Sequence, residues 1–261
     1  MYSKQISSAL VKLKEDGQVV TNVYTKNINN NISTVMNNEN AILISCKDHG
    51  VYRLYYYAVK LEYLKSLILA LPKEEYVLEY ITRNPSEHYE VLRKLGFKCL
   101  KKMMRMSTQL SDLNSLSNSV LQYYDEAIGI YPDVSLAKMI NKILWNVFDP
   151  RVSHLQNDEE LKASIVNNEV LIHQRDDGKI DAVLQTIIQP KRFYINQVYN
   201  GAEKNVIHAM LQKRLNEYIK FGGKYIHAWV ATDNISSIKF HQKYGLQHDG
   251  IWSLVYTIKR D

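Results

Sequence analysis

Three histidines occupy positions where proton chemistry could be done: His173 in EVLIHQR, His227 in KYIHAWVAT and His241 in NISSIKFHQKYG. An imidazole titrates near neutral pH, so it can take up or release a proton there. The first two lie in strand-like runs, and alternation along a strand puts His227 on a face with Tyr225 and Trp229. The run RFYINQVY carries Asn196 and Gln197, neither of them a useful proton acceptor, so it supplies no carboxylate base. Cys46 and Cys99 have neither the spacing of a metal site nor the density of a disulfide scaffold, and lone thiols fit a reducing compartment. No metal site is expected. The tight basic clusters are Lys101, Lys102 with Arg105, and Lys191 with Arg192, which read as solvated edges or loops. A net charge of +6 favours an anionic partner, whether nucleotide cofactor, nucleic acid or membrane surface, without choosing among them.

The elements that must hold these residues can be read along the chain. Its 261 residues suit two domains of ordinary size better than one. With 46% hydrophobic and 23% charged residues it is too apolar for general disorder. No run approaches the roughly 18 apolar residues of a membrane helix, and the N-terminus lacks a signal-peptide core, so a cytoplasmic protein with no membrane partner is expected.

In the first half, the asparagine-rich stretch Lys26 to Asn40 reads as a loop. AILISC and VYRLYYYAV read as a hairpin turned at Asp48-His49-Gly50, and KLEYLKSLILAL as a helix. EYVLEYIT is a strand, PSEHYEVLRKLG a short helix opened by Pro85 and closed by Gly96, and FKCLKKMMRMS a final strand. A polar segment, Thr108 to Ser119, carries the boundary, giving domains 1–115 and 116–261.

The second half opens with DVSLAKMINKILWNVF, whose Leu136, Met139, Ile140, Ile143, Leu144, Val147 and Phe148 form an apolar helical stripe. A helix capped by Asn157 or Asp158 follows. Next come a hairpin turned at Asp176-Asp177-Gly178, the strand RFYINQVY and a helix ending at Gly222-Gly223. The strand KYIHAWVAT leads into a short helix between Asn234 and Gly245, and two closing strands are expected around Asp249-Gly250. The fold class is α/β with a mixed sheet.

That order, with WVATDNISSIKFHQKYGLQHDG, is similar to the GCN5-related N-acetyltransferase (GNAT) superfamily, whose closing signature has the form N-x-x-S-I-x-F-[HY]-x-K-x-G-F. Asn234, Ser237, Ile238, Phe240, Lys243 and Gly245 match it, and Leu246 replaces the usual phenylalanine. The resemblance covers about half of the chain. The first half resembles a weaker copy: Asn84 aligns with Asn234 and LRKLGF with HQKYGL, but KLEYLKSLILALPKEE has no glycine loop for a pyrophosphate. A tandem GNAT-like acyl-CoA N-acyltransferase fold with a degenerate N-terminal copy is therefore expected.

The resemblance implies two central strands that splay apart around the pantetheine arm of acetyl-CoA. The backbone of Val198 or Tyr199 would bond the acyl oxygen. The pyrophosphate would sit on the next helix N-terminus, where free N–H groups attract an anion, and Gly201, Lys204, Asn205, Val206, Asn234 and Ser237 complete the implied cofactor set. The loop departs from the family pattern R/Q-x-x-G-x-G/A: Gly201 stands out of register, and Glu203 and Asn205 replace common glycines. His241 falls where many relatives carry a tyrosine acid, and His227 remains a candidate base. The implied activity is transfer of an acetyl group to a primary amine of a small molecule or peptide. Two alternatives are an aminoacyl-tRNA-dependent peptide transferase and a non-catalytic CoA-binding protein. A nucleic-acid partner is not expected, and the oligomeric state is open, with a homodimer among the options.

Overall fold

The structure, a computed structural model, describes residues 2–15, 18–24, 31–111 and 128–260. In chain order the elements are α1 (Tyr2–Glu15), β1 (Val20–Thr21), β2 (Ile32–Asn37), β3 (Ala41–Asp48), β4 (Val51–Ala58), α2 (Lys65–Leu69, after a 3-10 turn at Leu61–Leu64), β5 (Glu75–Thr82), α3 (Tyr89–Lys94) and β6 (Lys98–Gln109). Then follow α4 (Ala137–Val147), α5 (Asp158–Val166), β7 (Val170–Gln174), β8 (Ile180–Gln189), β9 (Arg192–Asn200), α6 (Lys204–Lys220), β10 (Tyr225–Ala231), α7 (Ile235–Gln242) and β11 (Gln247–Lys259). The chain forms two compact units, Met1–Met103 with Ile251–Asp261, and Met104–Gly250.

In the first unit the sheet runs β2-β3-β4-β5-β11. The β4–β5 pair is parallel, whereas β2–β3, β3–β4 and β5–β11 are antiparallel. β3 is apolar on both faces because both are covered. Ile42 and Ile44 pack with Ile6 and Leu13 of α1, while Leu43 packs with Leu54, Leu64, Leu67 and Ile68. Each such side chain removed from water contributes roughly 1.5–3 kcal/mol. The expected 1–115 domain is contiguous, whereas this unit takes its β11 residues from the far end of the chain, paired from Trp252↔Thr82 to Lys259↔Glu75. The expected 115/116 boundary lies outside the described residues.

In the second unit the sheet runs β6-β10-β9-β8-β7. One face carries α6, whose Val206, Met210, Leu211 and Leu215 pack on Leu184, Phe193, Ile195, Ile226 and Ala228. The other carries α4 and α5, with Ile140, Leu144, Leu161 and Ile165 against Val170, Ile172 and Val183. Local signals set the ends of these elements. Asn157 accepts from Glu160 N–H at 2.9 Å while the Glu160 carboxylate accepts from Asn157 N–H at 2.9 Å, closing a capping box. Gly178 turns the β7–β8 hairpin at φ +81°. Gly223 follows α6 where a Cβ would lie 2.1 Å from the Tyr218 ring.

Several expectations are corrected. The loop expected over 26–40 contains β2, because Ile32 and Val35 find apolar partners on the α1 side of the sheet and the strand pairs with β3. The two closing strands are one, β11: Gly250, at φ +82°, lies within it, and residues from Trp252 onward pair with β5 instead of doubling back. The helix α3 starts at Tyr89, four residues after Pro85. Met139 and Val147, placed in the apolar stripe of α4, face outward at 47% and 49% exposure. The helix α1 carries Ile6, Leu10 and Leu13 at helical spacing and has no counterpart among the expected elements. Of the polar segment 108–119, Thr108 and Gln109 belong to β6, and residues 112–119 lie outside the described ones.

Candidate active site

The site begins where a ladder ends. The parallel strands β9 and β10 are in register from Tyr225↔Arg192 to Ala228↔Ile195, and no pairing follows, although β9 continues to Asn200 and β10 to Ala231. On its other side β9 stays paired with β8, but the register shifts: Gln185 faces Gln197 and Thr186 faces Ile195, leaving Asn196 as the extra residue of a bulge. A bulge bends its strand and increases the local twist, which carries Gln197–Asn200 away from β10. Backbone groups on that edge keep their donors and acceptors free of any ladder partner among the described residues. A buried backbone group must be paired, so such an edge suits an extended ligand carrying amides of its own.

β9 delivers the chain to the N-terminus of α6. Gly201 makes this connection. Its N–H donates to Asp181 O at 2.7 Å, and an added Cβ would lie 2.5 Å from the Tyr199 hydroxyl and 3.2 Å from Asp181 O. Lack of room for a Cβ, not a positive φ, favours glycine here. Glu203 is the N-cap of α6 but its carboxylate makes no capping bond, so the helix starts at Lys204 with its first N–H groups uncapped by a side chain.

The helix α7 is capped by Asn234, whose side-chain oxygen accepts from Ser237 N–H at 3.0 Å, and is closed by Gly245 at φ +71°. Within it, His241 is 3% exposed and its Nδ1 lies 2.7 Å from Ser237 O. A carbonyl only accepts, so Nδ1 carries the proton and Nε2 presents a lone pair. That Nε2 is buried and has no hydrogen-bond partner among the described residues. Burial holds the His241 pKa below the usual histidine value, against the pull of the Ser237 carbonyl. His241 is thus neutral near pH 7 and is an acceptor in its resting form.

His227 has a different setting. Its ring stacks on Tyr194 at 4.8 Å and on Tyr225 at 5.7 Å, and its Nδ1 is buried without a hydrogen-bond partner among the described residues. Burial, reinforced by the positive charges of Arg105 and Arg192 and opposed by Asp249, pushes its pKa down to about 4. Beside it, Asp249 accepts from Arg105 Nε at 2.7 Å, from the Ser107 hydroxyl at 2.9 Å and from the Tyr225 hydroxyl at 3.1 Å. Ile238 and Phe240 of α7 pack with Ile226, Ala228 and Val230, so α7 lies on the face of β10 opposite His227. His227, paired opposite Tyr194 near the end of the ladder, and the helix that carries His241 thus lie on opposite faces of β10.

His173 is held by Asp181, Nδ1 to Oδ1 at 2.6 Å, at a second bulge whose carbonyl also anchors Gly201. A polar chain leads away from the β9 bulge: Asn196 donates to Gln185 at 3.1 Å, Gln185 to Gln156 at 2.7 Å, Gln156 to Ser164 at 3.0 Å and Ser164 to Glu169 at 2.7 Å. Neither this chain nor the cluster at Asp249 was foreseen, since strand register, not local sequence, assembles both. Among the described residues no group of three His, Cys, Asp or Glu side chains could hold a metal, and no helix is long and apolar enough to cross a membrane.

No protein-family model matches the chain, and no curated protein matches it. Solved structures do. A GCN5-related N-acetyltransferase from Sphaerobacter thermophilus is 11% identical with a TM-score of 0.56, over 84% of this chain and 76% of that one. A tandem GNAT protein from the clavulanic acid biosynthesis pathway is 12% identical with a TM-score of 0.55, over 85% and 79%. A conserved protein of unknown function from Staphylococcus epidermidis is 10% identical with a TM-score of 0.55, over 92% and 98%. At these identities the likeness is one of fold, and the chain has the mixed α/β fold of the GNAT acetyltransferases, tandem members included.

Proposed function

We propose that the protein is an acyl-CoA-dependent N-acyltransferase that uses acetyl-CoA through its second unit to acetylate a primary amine of a small molecule or peptide. The observation that carries this reading is the break in the β9–β10 ladder after Ile195↔Ala228, directly before an uncapped helix N-terminus. Acetyl-CoA, when bound, supplies an acetyl group on a thioester. The free edge of β9 would pair with the amides of the pantetheine arm, and the N–H of Val198 or Tyr199 would hold the acyl oxygen as charge develops on it. Lys204 and Asn205, at the start of α6, would hold the diphosphate through N–H groups and the Lys204 ammonium, while the Val206 N–H already donates to Glu203 O at 3.1 Å and its side chain packs in the core beneath the site. Gly201 keeps the loop tight enough to bring that helix to the strand end, and Asn234 with Ser237 fixes the start of α7, and with it His241. The His241 Nε2, without a partner among the described residues, is left as an acceptor for a ligand donor that reaches it.

The histidines qualify the proton chemistry. A neutral imidazole takes a proton before it gives one, so His241 assists a departing thiolate only after protonation. His227, with its pKa near 4, is a weak base, and an acceptor amine must arrive neutral or pass its proton to water. These properties favour a second reading in which the unit binds a CoA thioester without turning it over.

Calorimetric titration with acetyl-CoA, run alongside Asn205→Glu, tests the cofactor site. Saturable binding that the added carboxylate abolishes supports it, and no binding to the wild type overturns it. Release of the CoA thiol that depends on an added amine separates the transferase from the non-catalytic reading.

A further inference from the structure

The first unit repeats the motif of two parallel strands that part. β4 and β5 are in register only at Tyr52↔Tyr76 and Arg53↔Val77, after which β4 runs on to Ala58 and β5 to Thr82. Here the gap is filled by the chain itself. β1 pairs with the end of β4, Val20↔Ala58 and Thr21↔Tyr57. The Thr21 hydroxyl donates to Tyr56 O. Asn22, 3% exposed, bridges the two strands: its Nδ2 donates to Leu54 O on β4 and to Glu79 O on β5, each at 2.9 Å, and its Oδ1 accepts from Tyr56 N–H at 2.8 Å. The Tyr24 hydroxyl accepts from Ile81 N–H at 2.8 Å and donates to Ile81 O at 3.0 Å.

We propose that residues 20–24 are a built-in occupant of the first unit's strand gap, standing where an amide-bearing cofactor would lie, so that this unit takes up no acyl-CoA and the protein binds one molecule per chain. The stoichiometry rests on the reading of the second unit given above; the occupancy does not.

The chemistry of the strap distinguishes it from an added edge strand. Backbone pairing covers two residues, and beyond them side chains reach the strand edges. Diverging strands cannot both be spanned by one extended backbone, because each step along the gap widens it past the 4.7–4.9 Å of a ladder. An asparagine side chain can span them. It carries two donors and an acceptor on a short stem, and Asn22 uses them on Leu54, Glu79 and Tyr56. The backbone groups that an incoming pantetheine amide would need are those already bonded, and breaking them without replacement would leave buried polar groups unpaired. The rest of the unit offers an anion little: α2 has only five residues, and no glycine lies between the end of β4 and its 3-10 turn. In the second unit, by contrast, no segment among the described residues bonds the free edge of Gln197–Tyr199.

The test is amide exchange on the full chain with acetyl-CoA calorimetry in parallel. Tyr56 and Ile81 amides are expected to be protected in the wild type. Asn22→Ala should speed exchange at Tyr56 by about tenfold or more, and Tyr24→Phe, at a half-exposed position, should do so at Ile81 without threatening the fold. Titration should give one site per chain. Unprotected Tyr56 and Ile81 amides, or protection unmoved by both variants, would overturn the strap. Two sites per chain would also overturn it while leaving the second unit's reading intact. Absence of any binding, with both amides protected and responsive, would remove that reading and support the strap as an occupant.

Discussion

The close approach at Gly201 can be turned into a measured coupling. In Gly201→Ala the new Cβ would lie 2.5 Å from the Tyr199 hydroxyl, 3.1 Å from Tyr199 Cζ and 3.2 Å from Asp181 O. The first contact is impossible without movement, and the others require a shift of a few tenths of an ångström. Forced overpacking of this kind costs about 1–3 kcal/mol. The backbone at Gly201 is not at positive φ, so alanine also gains about 0.4–1 kcal/mol by restricting the unfolded chain. The net loss should be about 0.5–2 kcal/mol. Tyr199→Phe removes the atom in the worst contact and, with the Tyr199 hydroxyl engaged in no hydrogen bond among the described residues, should alone be nearly neutral. In the double variant the remaining contacts need only small adjustments, so most of the loss should return, with a coupling of about 1 kcal/mol. Urea unfolding of the wild type, both single variants and the double variant measures this directly. Additive effects, or a Gly201→Ala variant as stable as wild type, would refute the argument that the loop is held by this contact.

Three further outcomes follow from the same geometry. His227 has a folded pKa near 4, below its ordinary value, so its contribution to stability is complete above about pH 6.5 and is lost as pH falls toward 4; urea midpoints between pH 7 and 5 should fall less steeply in His227→Asn than in the wild type. Asn157→Ala removes half of a capping box and should cost about 0.5–2 kcal/mol, read as a lower midpoint in the same unfolding assay. Glu203→Gln removes a carboxylate from the start of α6 and should tighten acetyl-CoA about two- to fivefold at low ionic strength, with the gain shrinking as salt is added, in calorimetric titrations.

What the sequence made legible is what short-range chemistry decides. Asn157, Asn234, Gly178 and Gly245 mark ends and turns through bonds or dihedral angles within a few residues, and each does so in the structure. The splay of β9 and β10 was expected from the resemblance, but the bulge at Asn196 depends on registers with β8 and β10 that no local pattern encodes. Asn22 shows the limit most clearly. Its partners lie 32, 34 and 57 residues away, so nothing in QVVTNVY marks it as the bridge between two strands. The strand β2 was hidden by asparagines because pairing and one apolar face hold it, and β11 was divided in two because Asp249-Gly250 is also a good hairpin turn. The charge states of His227 and His241 are similarly out of reach of the sequence: both depend on burial and, for His227, on Arg105 brought in by β6.

The central claim is that the open edge of β9 and the start of α6 form the acetyl-CoA site. Hydrogen exchange over residues 196–206, with and without saturating acetyl-CoA, tests it most directly. Protection should rise at Gln197–Tyr199 and at Lys204 and Asn205; the Val206 N–H, already bonded to Glu203 O, should change less. Unchanged exchange across both segments, with acetyl-CoA demonstrably bound, would contradict it.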